Sequence, residues 1–298
     1  MNVAQVGNSS VITAVGAHDG RVLFYFQPIG GGPWTQELVI EPNATRPPVG
    51  AFTAASVAQV GNSSVIAAVG ADGSVWFLFQ PIGSGGWRPE LVAAPTNSPN
   101  SPPPFIAASI AQVGNSSVIA AVSSDGSLWF YWQTIGTGPW NPELVAAATS
   151  TSSPVTAASI AHVGNSAVIA AVHQDGTLSF YWQTIGATGP WNQEPVPVSG
   201  PNNVSSASVA QVGNSSVIAA VHQDGTLSFY WQTIGGGPWN TEPVPGPNTI
   251  SSASVAHVGN SAVIAAVGAD GSLWFDWQTI GAAGWNLEAV APAGSVLA

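Results

Sequence analysis

The 298-residue sequence contains no cysteine and no lysine; its only cations of fixed charge are Arg21, Arg46 and Arg88. Without cysteine there are no disulfides, thiol nucleophiles or thiolate metal sites, and the redox compartment leaves no mark on the sequence. Fourteen acids against three arginines give a formal net charge of −11. Phosphate binding needs clustered Lys and Arg, so neither a nucleic acid nor an anionic membrane surface is expected as a partner. Charged residues make up only 6% of the chain, against about 25% in an average soluble domain. Long apolar runs are also missing: 45% of residues are apolar, yet no run approaches the ~18 that a membrane-spanning helix requires, so no membrane insertion is expected. The opening MNVAQVGNSS has neither a basic n-region nor an apolar h-region, so no signal peptide is expected in this chain. It opens inside a repeat, as a domain cut from a longer protein would. The compartment is undetermined, and a secreted or surface-associated parent protein is compatible with it.

What the sequence has in abundance is one unit copied six times. The string VGN recurs with its glycine at Gly7, Gly61, Gly114, Gly164, Gly213 and Gly259. Asp-Gly follows at Asp19, Asp72, Asp125, Asp175, Asp224 and Asp270, each with glycine next. Then come Gln27, Gln80, Gln133, Gln183, Gln232 and Gln278, and after them Trp34, Trp87, Trp140, Trp191, Trp239 and Trp285. Three residues beyond each tryptophan stands a glutamate: Glu37, Glu90, Glu143, Glu194, Glu242 and Glu288. From VGN glycine to glutamate the span is 29 or 30 residues, whereas from glutamate to the next VGN it runs 24, 24, 21, 19 and 17. A constant interior and a variable connection rich in Pro, Ser, Thr and Asn, such as PTNSPNSPPPF, define one supersecondary module per repeat.

Inside the module the apolar period is two rather than 3.6. In the third copy ASIAQV, SVIAAV, LWFYWQ and ELVA are predicted as four successive strands. Gly-Asn and Asp-Gly are predicted two-residue hairpin turns, since these residues tolerate positive φ. Third-strand side chains alternate between one face with Leu128, Phe130 and Trp132 and another with Trp129, Tyr131 and Gln133. Both faces are large and mostly apolar, as they must be if each sheet is sandwiched between two others. The end copies are as apolar as the middle ones, which favours a closed array over a capped open stack. The expectation is an all-β, six-bladed β-propeller with four antiparallel strands per blade. It forms a single domain over 1–298, with blades near 1–45, 46–98, 99–150, 151–200, 201–247 and 248–298, closed between whole blades.

The run DGSLWFYWQTIGTGPWNPE, Asp125 to Glu143, resembles the blade motif of the PLL-like bacterial β-propeller lectins. There an Asp-Gly turn leads into a Leu-Trp strand, then aromatic residues, a short loop and a further Trp. The IGxGxW pieces, such as Ile82 to Trp87, are similar to loops of tachylectin-type propellers. The resemblance covers all six repeats, mostly through turn and core residues. It implies a propeller fold and sugar binding in shallow pockets between adjacent blades.

The polar inventory is small enough to account for. Twelve of the fourteen acids are the turn aspartates and the repeated glutamates, leaving Glu41 and Asp276. Turn chemistry explains the aspartates. Each glutamate accepts backbone N–H groups, sits in solvent, or accepts sugar hydroxyls beside the tryptophan. The loop tryptophan either wedges between blades as core or offers its flat face and N–H to a pyranose. Asp276 replaces the tyrosine of copies one, three, four and five (Tyr25, Tyr131, Tyr181, Tyr230); it is expected to face water at the closure seam or to be a site residue. His173 and His222 occur in the two copies whose third-strand tryptophan is replaced by Ser179 or Ser228, a pattern expected of compensating volume between neighbouring blades. Neither these nor His162 and His257 form a zinc spacing, so no metal and no cofactor are expected. The Asn-Ser-Ser triplets at Asn8, Asn62, Asn115 and Asn214 fit glycosylation sequons but fall in predicted tight turns. There is no G-x-S-x-G elbow and no differentiated carboxylate pair of the kind a glycosidase uses, so no enzyme is expected. Near-identical repeated groups suit multivalent binding. The expectation is a lectin-like propeller for neutral glycans, with binding residues Gln27, Gln80, Gln133, Gln183, Gln232, Gln278 and the six loop tryptophans and six glutamates named above. The alternatives are a non-enzymatic protein-interaction scaffold and a hydrolase with a site at the central channel.

Overall fold

The computed structural model describes all residues except 1, 17–18, 30–31, 41–43, 46–47, 50, 84, 96–101, 137, 149–152, 188, 199–202, 247–248 and 295–298. Arg46 and most of the proline-rich connection PTNSPNSPPPF lie outside the described residues. Among those described there is no helix. Six four-stranded antiparallel sheets, each with its strands in chain order, make the six blades of a β-propeller. In blade 3 the strands are Phe105–Val113, Ser116–Ser123, Leu128–Thr134 and Asn141–Ala146, where the period-two reading places them. The chain divides into two compact units, Met1–Pro154 with blades 1–3 and Val155–Ala298 with blades 4–6.

Within each unit, adjacent blades bury their faces on one another. In the first unit Val22 and Phe24 of blade 1 pack with Ile66, Ala68 and Leu78 of blade 2. Val65, Ala67 and Phe77 of blade 2 then pack with Ile119, Ala121 and Tyr131 of blade 3. In the second unit Val168, Ala170 and Phe180 meet Ile218, Ala220 and Tyr230, and Val217, Ala219 and Phe229 meet Ile264 and Ala266. In blades 2–6 the second strand carries an unbroken Val-Ile-Ala-Ala-Val run, and Ile66, Ile119, Ile169, Ile218 and Ile264 are fully buried. Each such side chain contributes roughly 1.5–3 kcal/mol relative to exposure. The alanines beside them leave room for the ring-bearing third strand of the next blade.

The VGN turns are two-residue turns: Val113 pairs with Ser116 across Gly114-Asn115, and the glycine has φ +56°. The Asp-Gly turns differ from expectation by one residue. In blade 3 the Ser123 N–H donates to the Ser127 carbonyl and the Gly126 N–H to the Ser123 carbonyl. Three residues therefore form the loop, a type I turn closed by a glycine at φ +85°. Asp125 accepts from the Ser127 N–H and hydroxyl at 2.9 and 2.8 Å, which tightens the turn. The glycine has a second task. At Gly73 an added Cβ would lie 2.4 Å from the Pro104 side chain, and the Phe105 N–H donates to the Gly73 carbonyl at 2.9 Å. The turn of one blade thus seats the first strand of the next.

First-strand glutamines make a further stitch that the sequence reading missed. Gln59 accepts from the Gly7 N–H at 2.7 Å, Gln112 from Gly61 at 2.7 Å and Gln211 from Gly164 at 2.8 Å, each reaching back one blade. Also unanticipated is a two-stranded ribbon, Ala44–Thr45 with Pro48–Val49, in the connection after blade 1.

Candidate ligand-binding clefts

In every blade the fourth-strand glutamate pairs across the ladder with a third-strand phenylalanine: Phe24 with Glu37, Phe77 with Glu90, Phe130 with Glu143, Phe180 with Glu194, Phe229 with Glu242 and Phe275 with Glu288. Directly paired residues project from the same side of a sheet, and residues two apart along a strand do as well. Glutamate and phenylalanine therefore share one face with the next aromatic along: Phe26, Phe79, Trp132, Trp182, Trp231 or Trp277. The glutamine, one residue further on, points to the opposite face.

Within each unit these two faces meet. Gln80 donates to Glu37 at 2.9 Å, Gln133 to Glu90 at 2.8 Å, Gln232 to Glu194 at 2.8 Å and Gln278 to Glu242 at 2.9 Å. In the second unit the loop tryptophan joins them: the Trp239 indole donates to Glu194 at 2.7 Å and that of Trp285 to Glu242 at 2.8 Å. All four bonds of the second unit end on Oε1, and among the described residues Oε2 of Glu194 and Glu242 receives none. The glutamines are themselves held by loop carbonyls; Gln133 and Gln232 donate to Gly138 and Gly237 at 2.7 Å.

The loop tryptophans stand edge-on to the preceding blade's phenylalanine. Phe24–Trp87, Phe77–Trp140, Phe180–Trp239 and Phe229–Trp285 have centroids 5.0–5.2 Å apart and planes 63–71° apart. The same phenylalanine stacks on the second aromatic of its own strand, as in Phe229–Trp231 at 5.9 Å and 28°. In the first unit the indole nitrogens of Trp87 and Trp140 are buried without a hydrogen-bond partner. Trp34 is 45% exposed and Trp191 is 9% exposed. Gln27, Gln183, Glu143 and Glu288 occupy the equivalent places on their own blades.

Open clefts lie at three of these junctions, with volumes of about 450 Å3 between blades 2 and 3, 360 Å3 between blades 4 and 5, and 300 Å3 between blades 5 and 6. The blade 5–6 cleft is walled by Val217, Phe229, Trp231 and Glu242 on one side and by Gln278 and Ile280 on the other. Its counterparts place Trp182 and Glu194 opposite Gln232, and Phe79 and Glu90 opposite Gln133. On blade 6 itself, Val263, Phe275, Trp277 and Glu288 line a smaller recess of about 260 Å3. Each cleft between blades carries one carboxylate among the described residues. The aromatic wall is the third-strand ring, which sequence reasoning assigned to packing. The signal was present in the alternation, because the ring shares its face with the residue that pairs with glutamate.

Three residues flagged in the sequence are placed differently from expectation. Asp276 does not face water: it is fully buried, and it lies on the same face as Gln278, which reaches Glu242 of blade 5. Among the described residues neither carboxylate oxygen has a hydrogen-bond partner, and burial pushes the carboxyl up to about 7. His173 and His222 do offset the missing tryptophans, but within their own blades and by hydrogen bonding: Nε2 lies 2.9 Å from Ser179 Oγ and from Ser228 Oγ, respectively. Where tryptophan is kept, its indole donates instead to the turn serine, as Trp129 does to Ser127 at 2.9 Å. Among the described residues no group of three or more His, Asp or Glu could hold a metal ion, and no helix is long and apolar enough to cross a membrane.

The fold has solved counterparts. The chain is similar to the BP39L lectin from Burkholderia pseudomallei, with a TM-score of 0.71 and 21% identity over 98% of this chain and 84% of that one. It is similar to the SapL1 lectin, solved in complex with alpha-methyl fucoside, with a TM-score of 0.65 and 13% identity over 99% and 96% of the two chains. It is also similar to the fucose-specific lectin from Aleuria aurantia, with a TM-score of 0.62 and 15% identity over 99% and 95%. At these identities the likeness establishes the propeller fold that the repeat motif implied. No family model and no curated protein matches the sequence.

Proposed function

We propose that this protein is a lectin-like propeller that binds neutral glycans in clefts repeated between its blades and carries out no chemistry on them. The observation that carries the reading is the oriented glutamate. Two donors fix Oε1 of Glu194 and of Glu242, which leaves Oε2, without a donor among the described residues, in the cleft beside Trp182 or Trp231. A pyranose laid with its C–H face on the indole directs hydroxyl groups toward that oxygen, and each bond formed there gains from an acceptor already held in place. One carboxylate per cleft suits binding and lacks the acid–base pair of glycoside hydrolysis. Repetition then gives avidity from weak single sites. The lectins similar in fold, one solved with a fucoside and one described as fucose-specific, support a sugar as the ligand class.

The test is a glycan array followed by calorimetric titration of the best neutral hit. The Glu194→Ala, Glu242→Ala double variant is expected to lose two binding sites per chain, each weakened at least tenfold, about 1.4 kcal/mol. An array without a single retained glycan, or a double variant that titrates like the parent, overturns the reading.

A further inference from the structure

One cleft carries its own cation. Arg88 opens the fourth strand of blade 2, pairs across the ladder with Phe79 and holds its guanidinium carbon 6.0 Å from the centre of that ring. Both residues line the blade 2–3 cleft together with Glu90. In the second unit the same ladder position is asparagine: Asn192 against Trp182, Asn240 against Trp231 and Asn286 against Trp277. These amides turn to the backbone, donating to the carbonyl of the paired tryptophan at 3.3, 3.5 and 3.4 Å. The second unit contains no lysine or arginine at all. Its clefts thus keep the aromatic wall and the glutamate of the blade 2–3 cleft but lack its cation, and their wall is tryptophan, the ring that attracts cations best.

We infer that the blade 4–5 and blade 5–6 clefts select glycans bearing a protonated amine, such as amino sugars with the amine free, over the same glycans acetylated. The ammonium takes the place that the Arg88 guanidinium holds in the first unit, over Trp182 or Trp231 and beside Oε2 of Glu194 or Glu242. This rests on the carbohydrate reading and extends it, for these two clefts, from neutral sugars to sugars bearing a cationic amine. The ring still stacks as a neutral sugar does. The ammonium adds attraction to the indole face and turns a neutral hydrogen bond to the carboxylate into a charge-assisted one. Acetylation removes the charge and both gains.

The experiment titrates tetramers of glucosamine, N-acetylglucosamine and glucose into the full chain at about pH 6, where an amine of ordinary pKa is protonated. The glucosamine tetramer is expected to bind roughly tenfold more tightly than the other two, about 1.4 kcal/mol, from the added attraction to the indole face and the carboxylate. Because the chain is acidic overall, a cationic oligomer is also drawn to it non-specifically. The Asn192→Arg, Asn240→Arg double variant separates the two effects: it gives both clefts the cation that the protein already accommodates at Arg88. That variant is expected to abolish the preference while leaving the circular dichroism spectrum unchanged. Equal affinity for the three tetramers overturns the inference and leaves the carbohydrate reading standing. So does a preference that survives in the double variant, or binding of other array glycans with none of the tetramers bound. An array with no hit at all removes both.

Discussion

Replacing Asp276 with asparagine is expected to flatten a pH dependence of stability that this one side chain creates. The carboxyl is fully buried at the blade 5–6 junction, both oxygens lack hydrogen-bond partners, and burial raises its pKa from 3.8 to about 7. Below pH 3.8 the group is protonated in both folded and unfolded chains and costs no proton-linked stability. As pH rises toward 7 the unfolded chain releases the proton while the folded chain keeps it, so stability falls; above 7 the loss levels off. At ~1.4 kcal/mol per pKa unit the full loss is about 4 kcal/mol, large against the 5–15 kcal/mol that holds a typical domain together. Urea unfolding of the wild type and of Asp276→Asn at about pH 5 and about pH 8 reads the difference directly. The gap between the two proteins should widen by roughly 3 kcal/mol toward the higher pH. Asp276→Tyr, which restores the residue of blades 1, 3, 4 and 5, should be more stable than the wild type at both pH values. The blade 5 face it meets repeats the Val, Ala and Phe of blade 4, against which Tyr230 is fully buried. Parallel pH profiles for wild type and Asp276→Asn would refute the assignment of a protonated buried carboxyl.

Two further outcomes test how the blades are joined. Gly73 and Gly83 have nearly equal φ, +80° and +78°, but an added Cβ meets Pro104 at 2.4 Å in the first and nothing within 4 Å in the second. Both alanine variants pay the left-handed backbone cost of about 1 kcal/mol, and Gly73→Ala should lose at least ~1–2 kcal/mol more in chemical denaturation because of the overlap; equal losses would show that the turn does not seat the next blade. A double-mutant cycle on His173 and Ser179 should return a coupling of about 1 kcal/mol, the value of one net hydrogen bond. Additive effects would return that pair to simple volume compensation.

Much of the fold could be read because the six copies repeat their turn residues and their period-two alternation, and both are local. The strands of blade 3 lie where ASIAQV, SVIAAV, LWFYWQ and ELVA place them. The Asp-Gly loop came out one residue longer than expected because its length depends on which carbonyl the residue after glycine supplies, a fact of pairing that composition does not carry. The polar half of each cleft was legible as recurring Gln and Glu, which the structure brings to 2.8–2.9 Å of one another at four junctions. Its aromatic half was assigned to the loop tryptophans, whereas the rings lining the clefts are third-strand pairs: Phe77 and Phe79, Phe180 and Trp182, Phe229 and Trp231. Spacing along the chain shows that a ring recurs; which of two rings is covered depends on the neighbouring sheet. The burial of Asp276 was hidden for the same reason, since a single odd residue in a repeat gives no hint of which side is sealed.

The acceptor Glu242 belongs to one blade, and its donors Gln278 and Trp285 belong to the next. A blade is therefore a head and a tail, each holding half of a different site, like the two ends of a monomer in a head-to-tail polymer. One blade in isolation can form no complete cleft. Each duplication of the unit inserted between existing blades brings both halves at once, so a gene growing by copying gains one whole cleft per copy without any new residue having to evolve.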